Sequence, residues 1–359
     1  MRHINEYRDP SKVNALVKEI EKVISKPIRL MEVCGGHTMS IQKFGIPSLL
    51  PDLVQLISGP GCPVCVTDRK YIDQSIAYAQ MNDTIITTYG DLIRVPGSSS
   101  TLDRQKADGA DIRIVYSVLD ALNIARENPN KNVIFLGIGF ETTTPGSAIG
   151  ILNAFEEKLK NFSLFSAHKV MPPAMAAIID DKVKIDGYIG PGHVSTITGE
   201  SIYTDITKKY GLGVVISGFE PVDILLSVLM LVKQHESNSP KVENEYSRIV
   251  RPEGNVLAQQ MVAKVFEPRD DFWRGFGVLK DSGLSIREKY REHDAEYVFD
   301  VEVVPTREDK GCICGEILKG LKKPLDCKLF AKTCKPSDPV GACMVSSEGA
   351  CYAHYRYQI

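Results

Sequence analysis

The nine cysteines of this 359-residue chain fall into two groups. Three lie within residues 34–65 and six within residues 312–351, and none lies between the two groups. The first group occupies glycine-rich segments, whereas the second occupies a C-terminal stretch with little apolar periodicity. Such a stretch buries little apolar surface, so it needs a metal or a cross-link to fold. The sequence therefore predicts two thiol sites, one in each region.

The composition is that of a cytoplasmic globular protein. A length of 359 residues exceeds what one hydrophobic core usually organises, so we expect more than one domain. The formal charge of -2 gives no reason to expect a nucleic-acid partner. The longest apolar run, 224–232, is about half of the roughly 20 residues that a membrane helix needs, and residues 1–9 are polar and unlike a signal peptide. Cytosolic thiols stay reduced, so metal ligation or redox catalysis explains clustered cysteines better than structural disulfides do.

Short apolar runs alternate with helical patterns along most of the chain. The predicted strands are 28–33, 53–57, 84–88, 112–116, 133–138, 162–166, 185–189 and 213–217. Most of them enter a glycine or proline turn and then a helical pattern, which indicates parallel sheets covered by helices on both faces. The predicted fold class is α/β, with two Rossmann-like parallel-sheet domains around a cleft.

The polar segment 127–132 is the best internal boundary. We expect a first α/β domain over 27–129 and a second over 130–235. Beyond them, the remaining residues 236–359 predict a mainly helical and loop domain that carries the cysteine-rich tail. Apolar residues at helical spacing behind Ser11 predict a helix over 11–24, which we assign to this third domain.

Unusual residues follow five of the predicted strands. These segments are 34–38 (CGGHT), 59–65 (GPGCPVC), 89–91 (YGD), 139–145 (GFETTTP) and 190–195 (GPGHVS). Because ligands bind outside the carboxyl ends of parallel strands, we expect the five loops to line one cleft. None matches a P-loop or a dinucleotide fingerprint, so nucleotide binding has weak support.

The cysteines of the first group are candidate ligands or nucleophiles. Cys65 precedes a helical pattern from Asp68, and a helix start lowers the pKa of a thiol. The pair Cys62 and Cys65 is compatible with half of a zinc site, a redox disulfide or two ligands of another metal. His37, three residues after Cys34, is either a structural histidine or a group that orients a ligand or moves protons.

Three further acidic or basic side chains have both a structural and a functional interpretation. Glu141 either helps to cap the helix that begins near Pro145 or lines the cleft. His193 is either a structural histidine or lines the cleft. Glu348 lies in a tight turn three residues before Cys351, where it is a proton donor or a solvated turn residue.

The tail contains more cysteines than one iron-sulfur cluster needs. They are Cys312, Cys314, Cys327, Cys334, Cys343 and Cys351. A [4Fe-4S] cluster takes four thiolates, which leaves two for a redox disulfide beside it. Their spacing departs from the compact bacterial ferredoxin run, which argues against a plain electron carrier.

Together, the motifs at 34–38, 59–65, 139–145 and 191–195 and the tail segment 341–351 (GACMVSSEGAC) closely resemble the HypD family of [NiFe] hydrogenase maturation factors. The resemblance runs from about residue 30 to the C-terminus. It implies a metallochaperone scaffold, rather than a turnover enzyme, that holds iron with a small HypC partner while cyanide and carbon monoxide are attached. A HypE partner supplies the cyanide, and the finished Fe(CN)2CO unit passes to the hydrogenase large subunit. We expect a monomer outside this complex.

The resemblance also implies roles for individual residues. Cys34 binds the iron, Cys62 and Cys65 are further ligands or a reducing dithiol, His37 orients or protonates the ligands, and Glu348 matches a functional carboxylate. The family's C-terminal [4Fe-4S] site is similar to that of ferredoxin-thioredoxin reductase, where the cluster lies beside a disulfide. We expect the cluster on Cys314, Cys327, Cys334 and Cys351, with Cys312 and Cys343 as the redox pair.

Two other functions remain open from the sequence. An iron-sulfur-dependent disulfide reductase acting on a protein partner needs Cys62 and Cys65 but neither Cys34 nor His37. A binding module with a structural metal in the tail needs no redox-active thiol.

Overall fold

A computed structural model describes residues 5–181, 183–307 and 309–358. Its strands are β1 (Ile28–Glu32), β2 (Val54–Ser58), β3 (Thr84–Thr88), β4 (Asp111–Ile114), β5 (Asn132–Gly139), β6 (Phe162–His168), β7 (Gly187–Pro191), β8 (Gly213–Ser217), β9 (Val242–Asn244), β10 (Phe266–Trp273) and β11 (Gly277–Ile286). All eight predicted strands are present, with bounds shifted by at most two residues. The strands β9, β10 and β11 were not predicted.

Helices connect most of these strands. They are α1 (Pro10–Val23), α2 (Gly35–Lys43), α3 (Pro63–Val66), α4 (Arg69–Ala79), α5 (Leu102–Ala107), α6 (Val118–Glu127), α7 (Thr144–Glu157), α8 (Met171–Asp180), α9 (Gly192–Thr198), α10 (Thr204–Tyr210), α11 (Pro221–Glu236), α12 (Val256–Val265), α13 (Ala295–Val298), α14 (Cys314–Leu318) and α15 (Ala350–Gln358). Within the described residues, no helix is long and apolar enough to span a membrane.

Two parallel sheets form the α/β part of the molecule. One has the strand order β2-β1-β7-β8-β9 and the other the order β4-β3-β5-β6. In each sheet the chain order reverses at one point, between β1 and β7 in the first and between β3 and β5 in the second. Loops diverge at such a switch point and leave a crevice at the carboxyl ends of the strands. The α/β class is therefore confirmed, and the topology creates two crevices.

The strands do not divide between the sheets at residue 130. β5 pairs with β3, with Thr84 opposite Asn132, whereas β7 returns to β1, with Leu30 opposite Gly187. The chain begins the first sheet with β1 and β2, forms the whole second sheet with β3 to β6, and then returns to the first sheet with β7. The sequence pattern identifies strands but not their partners, so it did not predict this order. The predicted ranges 27–129 and 130–235 thus do not coincide with the sheets, and the division into domains stays a prediction.

The N-terminal helix α1, which we assigned to the third domain, packs on the first sheet. The apolar side of α1 packs on α11 and on the first sheet, where Ile20 and Ile24 share a buried cluster with Leu30 and Val228. The helix was correctly predicted because its amphipathic pattern is local. Much of the surface that buries its apolar side is formed by α11, about 200 positions away along the sequence.

The C-terminal region packs against the sheets rather than apart from them. β10 and β11 form an antiparallel hairpin with Trp273 fully buried at its end. The tail consists mainly of turns and short helices such as α14 and α15. Its residues Ile317 and Met344 belong to the same buried cluster as Val64 of α3. This shared core places the tail cysteines beside the first cysteine group.

Candidate functional site

A cavity of about 610 Å³ lies where the two crevices meet. Its lining comes from residues 33, 34, 61, 63, 64, 89–92, 114–116, 138–140, 142, 143, 191, 193, 194 and 346–348. All five predicted loops contribute, so the prediction of a common cleft is confirmed. The volume is typical of a small-molecule or cofactor site. The tail segment 346–348 closes one side of the cleft, which the sequence did not predict.

Cys34 is the thiol that lines this cavity. It precedes α2, and its neighbour Gly35 donates its N–H to the carbonyl oxygen of Gly61 at 2.9 Å. A Cβ on Gly61 would lie 2.3 Å from the nitrogen of Cys34, so only glycine lets the two loops approach this closely. Burial raises the pKa of the Cys34 thiol to about 12, and Glu348 adds to the shift. The thiol therefore holds its proton at neutral pH.

Glu348 lies directly over the first turn of α2. A side chain on Gly35 would approach its Cβ to 2.3 Å and its Oε2 to 3.0 Å, so the carboxyl group packs on the backbone next to Cys34. Burial, and then the charge of Asp91, raise the pKa of Glu348. The structure thus brings Glu348, predicted from the tail, together with Cys34 from the first cysteine group.

Glu32 is a buried acid beneath Cys34 that sequence reasoning missed. Its Oε2 accepts the N–H of Cys34 at 3.2 Å, and its Oε1 accepts the hydroxyl of Thr38 at 2.5 Å. Burial raises the pKa of Glu32 to about 8, and the Glu348 charge adds to the rise. A glutamate at the end of a mostly apolar strand was the available signal, because a buried acid there needs partners.

His37 lies behind the cavity rather than in its lining. Its Nε2 lies 2.9 Å from the carbonyl oxygen of Gly218, and burial lowers the pKa of the ring to about 4. The ring stacks on Phe219 at 4.5 Å, and His193 stacks on Phe219 from the cavity side at 4.0 Å. The imidazole that lines the cleft with Cys34 is therefore that of His193. Phe219, which orders both rings, had no signal in the sequence.

Glu141 also points away from the cleft. Its Oε1 accepts the N–H of Met171 at 2.8 Å, and its Oε2 is buried without a hydrogen-bond partner among the described atoms. Burial raises its pKa to about 7. Glu141 therefore holds the start of α8 and does not cap α7, which Thr143 precedes.

Cys62 and Cys65 are buried and lie outside the cavity lining, although Gly61 and Val64 beside them belong to it. Cys62 precedes α3, and its Sγ accepts the N–H of Cys65 at 3.3 Å. Burial, and then the neighbouring thiols of Cys343 and Cys62, raise the pKa of Cys65 well above its usual range. The expected lowering at a helix start is therefore wrong for Cys65, because α3 is only four residues long and burial dominates.

The buried thiol of Cys343 connects the two cysteine groups. Hydrogen bonds with the thiols of Cys314 and Cys65 lower the pKa of Cys343 to about 6. Cys312, the predicted redox partner of Cys343, donates to the Sγ of Cys314 at 3.2 Å, and the pairing of Cys312 with Cys343 stays a prediction. All nine cysteines are free thiols in the structure. A series of neighbouring thiols thus runs from Cys62 through Cys65 and Cys343 to Cys314.

The remaining tail cysteines surround a second cavity, which we call the cysteine cavity. The thiols that line it are those of Cys312, Cys314, Cys327, Cys334 and Cys351. Its other walls are apolar and include Ile317, Leu329 and Phe330. A Cβ on Gly341 would lie 2.6 Å from two of the cysteine sulfurs, so a glycine keeps this space open.

The cysteine cavity fits an iron-sulfur cluster chemically. Thiolates in an apolar pocket are the donor set that such clusters take, and Val340 donates its N–H toward the Sγ of Cys334 at 3.4 Å. The four predicted ligands all line the cavity, with Cys312 as a fifth thiol, so the choice among them stays a prediction. Among the described residues, no group of three or more His, Cys, Asp or Glu side chains is arranged to hold a single metal ion.

Comparison with known proteins identifies the family. The sequence model named HypD, described as the Hydrogenase formation hypA family, matches residues 11–358. The chain belongs to the HypD family. It is 47% identical to hydrogenase maturation factor HypD2 of Bradyrhizobium diazoefficiens over 99% of this chain and 97% of the relative. It is 45% identical to HypD of Rhodobacter capsulatus, over 99% and 98%, and 46% identical to HypD of Cupriavidus necator, over 99% and 97%. The predicted HypD resemblance is therefore confirmed.

Proposed function

We propose that this chain acts in hydrogenase maturation as the scaffold on which iron receives cyanide and carbon monoxide. The single observation that supports this role best is the 610 Å³ cavity in which Cys34, Glu348 and His193 meet. Iron is the cargo of this site rather than a resident cofactor. A thiolate suits iron that carries strong-field ligands, because soft sulfur donors stabilise such a centre.

Other maturation proteins complete the site in this proposal. Cys34 is the half-buried sulfur donor that this chain presents to the cavity, so further sulfur ligands come from a partner. A small HypC-type protein supplies a cysteine to the iron, and a HypE-type protein delivers the cyanide. The finished unit then passes to the hydrogenase large subunit.

The surrounding acids hold and move protons for Cys34. The thiol must lose its proton when iron binds, and Glu348 is the carboxyl group that packs beside it. Glu32 fixes the backbone of Cys34 through its N–H, so the thiol keeps its direction into the cavity. His193 presents an imidazole to the same space, where it donates a hydrogen bond to a bound ligand.

Cyanide transfer requires electrons, and in this proposal the buried thiols supply them. Releasing cyanide from a thiocyanate breaks the sulfur–carbon bond and consumes two electrons, leaving a thiolate and a cyanide ion. Cys62 and Cys65 provide these electrons by forming a disulfide with loss of two protons. Cys343 contacts Cys65 and Cys314, so it relays reduction between this pair and the cysteine cavity. A [4Fe-4S] cluster held by Cys314, Cys327, Cys334 and Cys351 would supply single electrons there.

An infrared spectrum of the complex with the small partner, isolated anaerobically, tests the proposal. We expect cyanide and carbonyl stretching bands in the wild-type complex and none in Cys34→Ala. Thr142→Ala changes another residue of the cavity wall and serves as the control that keeps the bands. Bands that survive in Cys34→Ala, or a wild-type complex that shows none with every maturation partner present, would reject the scaffold role.

A further inference from the structure

Lysines crowd one surface beside the cysteine cavity. Residues 319–335 contain six lysines and one acid, Asp326, in a chain whose formal charge is -2. Lys319 pairs with Asp181 at 2.6 Å. The other lysines are exposed and have no ion pair within residues 5–181, 183–307 and 309–358; they are Lys322, Lys323, Lys328, Lys332 and Lys335. The segment therefore presents a strong local positive charge to solvent.

Apolar side chains lie within this charged segment. Leu321 is 56% exposed and Leu325 is 65% exposed. An apolar centre with a charged rim is the usual anatomy of a protein–protein interface. We call residues 321–335 the lysine face.

The lysine face and the wall of the cysteine cavity are two sides of one segment. Cys327 is half-buried and lines the cavity, while the next residue, Lys328, is exposed. Phe330 of the cavity wall lies 5.8 Å from the ring of His354. Burial, and then the charge of Lys323, lower the pKa of His354, so this lysine lies close to the same wall. A molecule docked on the lysine face is therefore separated from the tail thiols by little protein.

We propose that the lysine face docks an acidic one-electron carrier protein, which delivers reducing electrons to the cysteine cavity. The inference rests on the proposed function, because it needs a redox centre in that cavity. Each encounter oxidises the carrier by one electron and reduces the acceptor by one. Two encounters supply the two electrons that convert one disulfide, with two protons from solvent, into two thiols.

Electrostatics makes an acidic protein the fitting partner. Opposite charges steer two proteins together and raise the association rate at low salt, while electron-transfer interfaces stay small and short-lived. A nucleic acid would also be attracted by the charge. The exposed leucines and the redox site beneath them favour a protein, since phosphate contacts need neither.

Stopped-flow reduction of the full chain tests the proposal. The probe is an acidic plant-type [2Fe-2S] ferredoxin, reduced beforehand and freed of excess reductant. The variant Lys322→Gln/Lys323→Gln/Lys328→Gln should react about ten-fold more slowly than wild type at low salt, and its rate should depend less on salt. The matched control, Lys12→Gln/Lys18→Gln/Lys22→Gln, makes the same charge change on the exposed side of α1 and should keep the wild-type rate.

Two further readouts separate this proposal from the function on which it rests. A small photoreduced deazaflavin should reduce all three proteins equally, and chemical shifts of oxidised ferredoxin should report binding independently of electron transfer. A chain without cluster absorption rejects the proposed redox site and the docking proposal with it. Equal ferredoxin rates and binding in all three proteins, or a lysine face that binds duplex RNA but not ferredoxin, overturn the docking proposal alone.

Discussion

At the scale of single residues, the cleft depends on buried acids that the structure places around one thiol. Glu32 contacts the N–H of Cys34, and Glu348 packs on Gly35 beside it. Burying acids near a thiol keeps the thiol protonated, because a thiolate there would be both desolvated and repelled. A protonated Cys34 should resist oxidation, since the thiolate is the reactive form.

Neutralising Glu348 should make Cys34 more reactive. Glu348 contributes to the raised pKa of Cys34, so Glu348→Gln should lower that pKa while burial keeps it above the ordinary value. The rate of Cys34 alkylation by iodoacetamide, followed by mass spectrometry across pH, measures the change. Glu316→Gln, an exposed acid on α14, is the control and should leave the profile unchanged. An unchanged or upward-shifted profile in Glu348→Gln would show that the two groups do not interact.

Glu141 should make stability depend on pH. Its folded-state pKa is about 7 against an ordinary value of 4.5, so the folded chain keeps a proton that the unfolded chain loses. The free energy of unfolding should therefore fall as the pH rises from about 5 to 7, by up to about 1.4 kcal/mol per pH unit from this group. Glu141→Gln, which still accepts the N–H of Met171, should flatten the profile in that window. Denaturant unfolding at several pH values measures it, and parallel profiles for the two proteins would contradict the assignment.

These residues show where sequence reasoning succeeds and where it stops. Cys34 and Glu348 were identified because cysteines and turn acids in glycine-rich segments are unusual. His37 was chosen over His193 as the site imidazole, yet the structure turns His37 toward Gly218 and leaves His193 in the cavity. A sequence gives the position of a ring along the chain, and only packing against Phe219 decides which way it faces.

At the scale of elements, the site is built at the switch points of two sheets. The strands were predictable because each carries its own apolar pattern. Their pairing was not, because β1 finds β7 through contacts more than 150 residues apart. The hairpin of β10 and β11 was missed as well, since its sequence alternates weakly and a third of its residues are exposed.

One glycine controls the space of the cysteine cavity. Gly341→Ala would place a Cβ 2.6 Å from the sulfurs of Cys312 and Cys314, so we expect a several-fold loss of bound iron and sulfide after anaerobic reconstitution. Gly146→Ala on α7 meets open space and serves as the control with wild-type content. Full iron and sulfide content in Gly341→Ala would mean that the cluster does not occupy this cavity.

At the scale of the whole molecule, the tail and the sheets share one hydrophobic core rather than forming separate parts. The core that joins α3 to α14 brings thiols from both cysteine groups into contact, with Cys343 between Cys65 and Cys314. The sequence showed two groups of cysteines but not that they meet, because their contact depends on how distant segments pack. The disulfide reductase alternative would require Cys62 and Cys65 to become accessible to a protein substrate, because both are buried.

The most direct test of the account is a Mössbauer spectrum of the iron-57-labelled complex with the small partner, isolated anaerobically. We expect two iron populations, a [4Fe-4S] cluster in the cysteine cavity and low-spin iron in the cleft. Cys34→Ala should remove only the low-spin iron, whereas Cys334→Ala should remove the cluster signal. A spectrum in which Cys34→Ala leaves the low-spin iron in place, or in which no low-spin iron is present in the wild-type complex, would contradict the central claim that the cleft holds iron through Cys34.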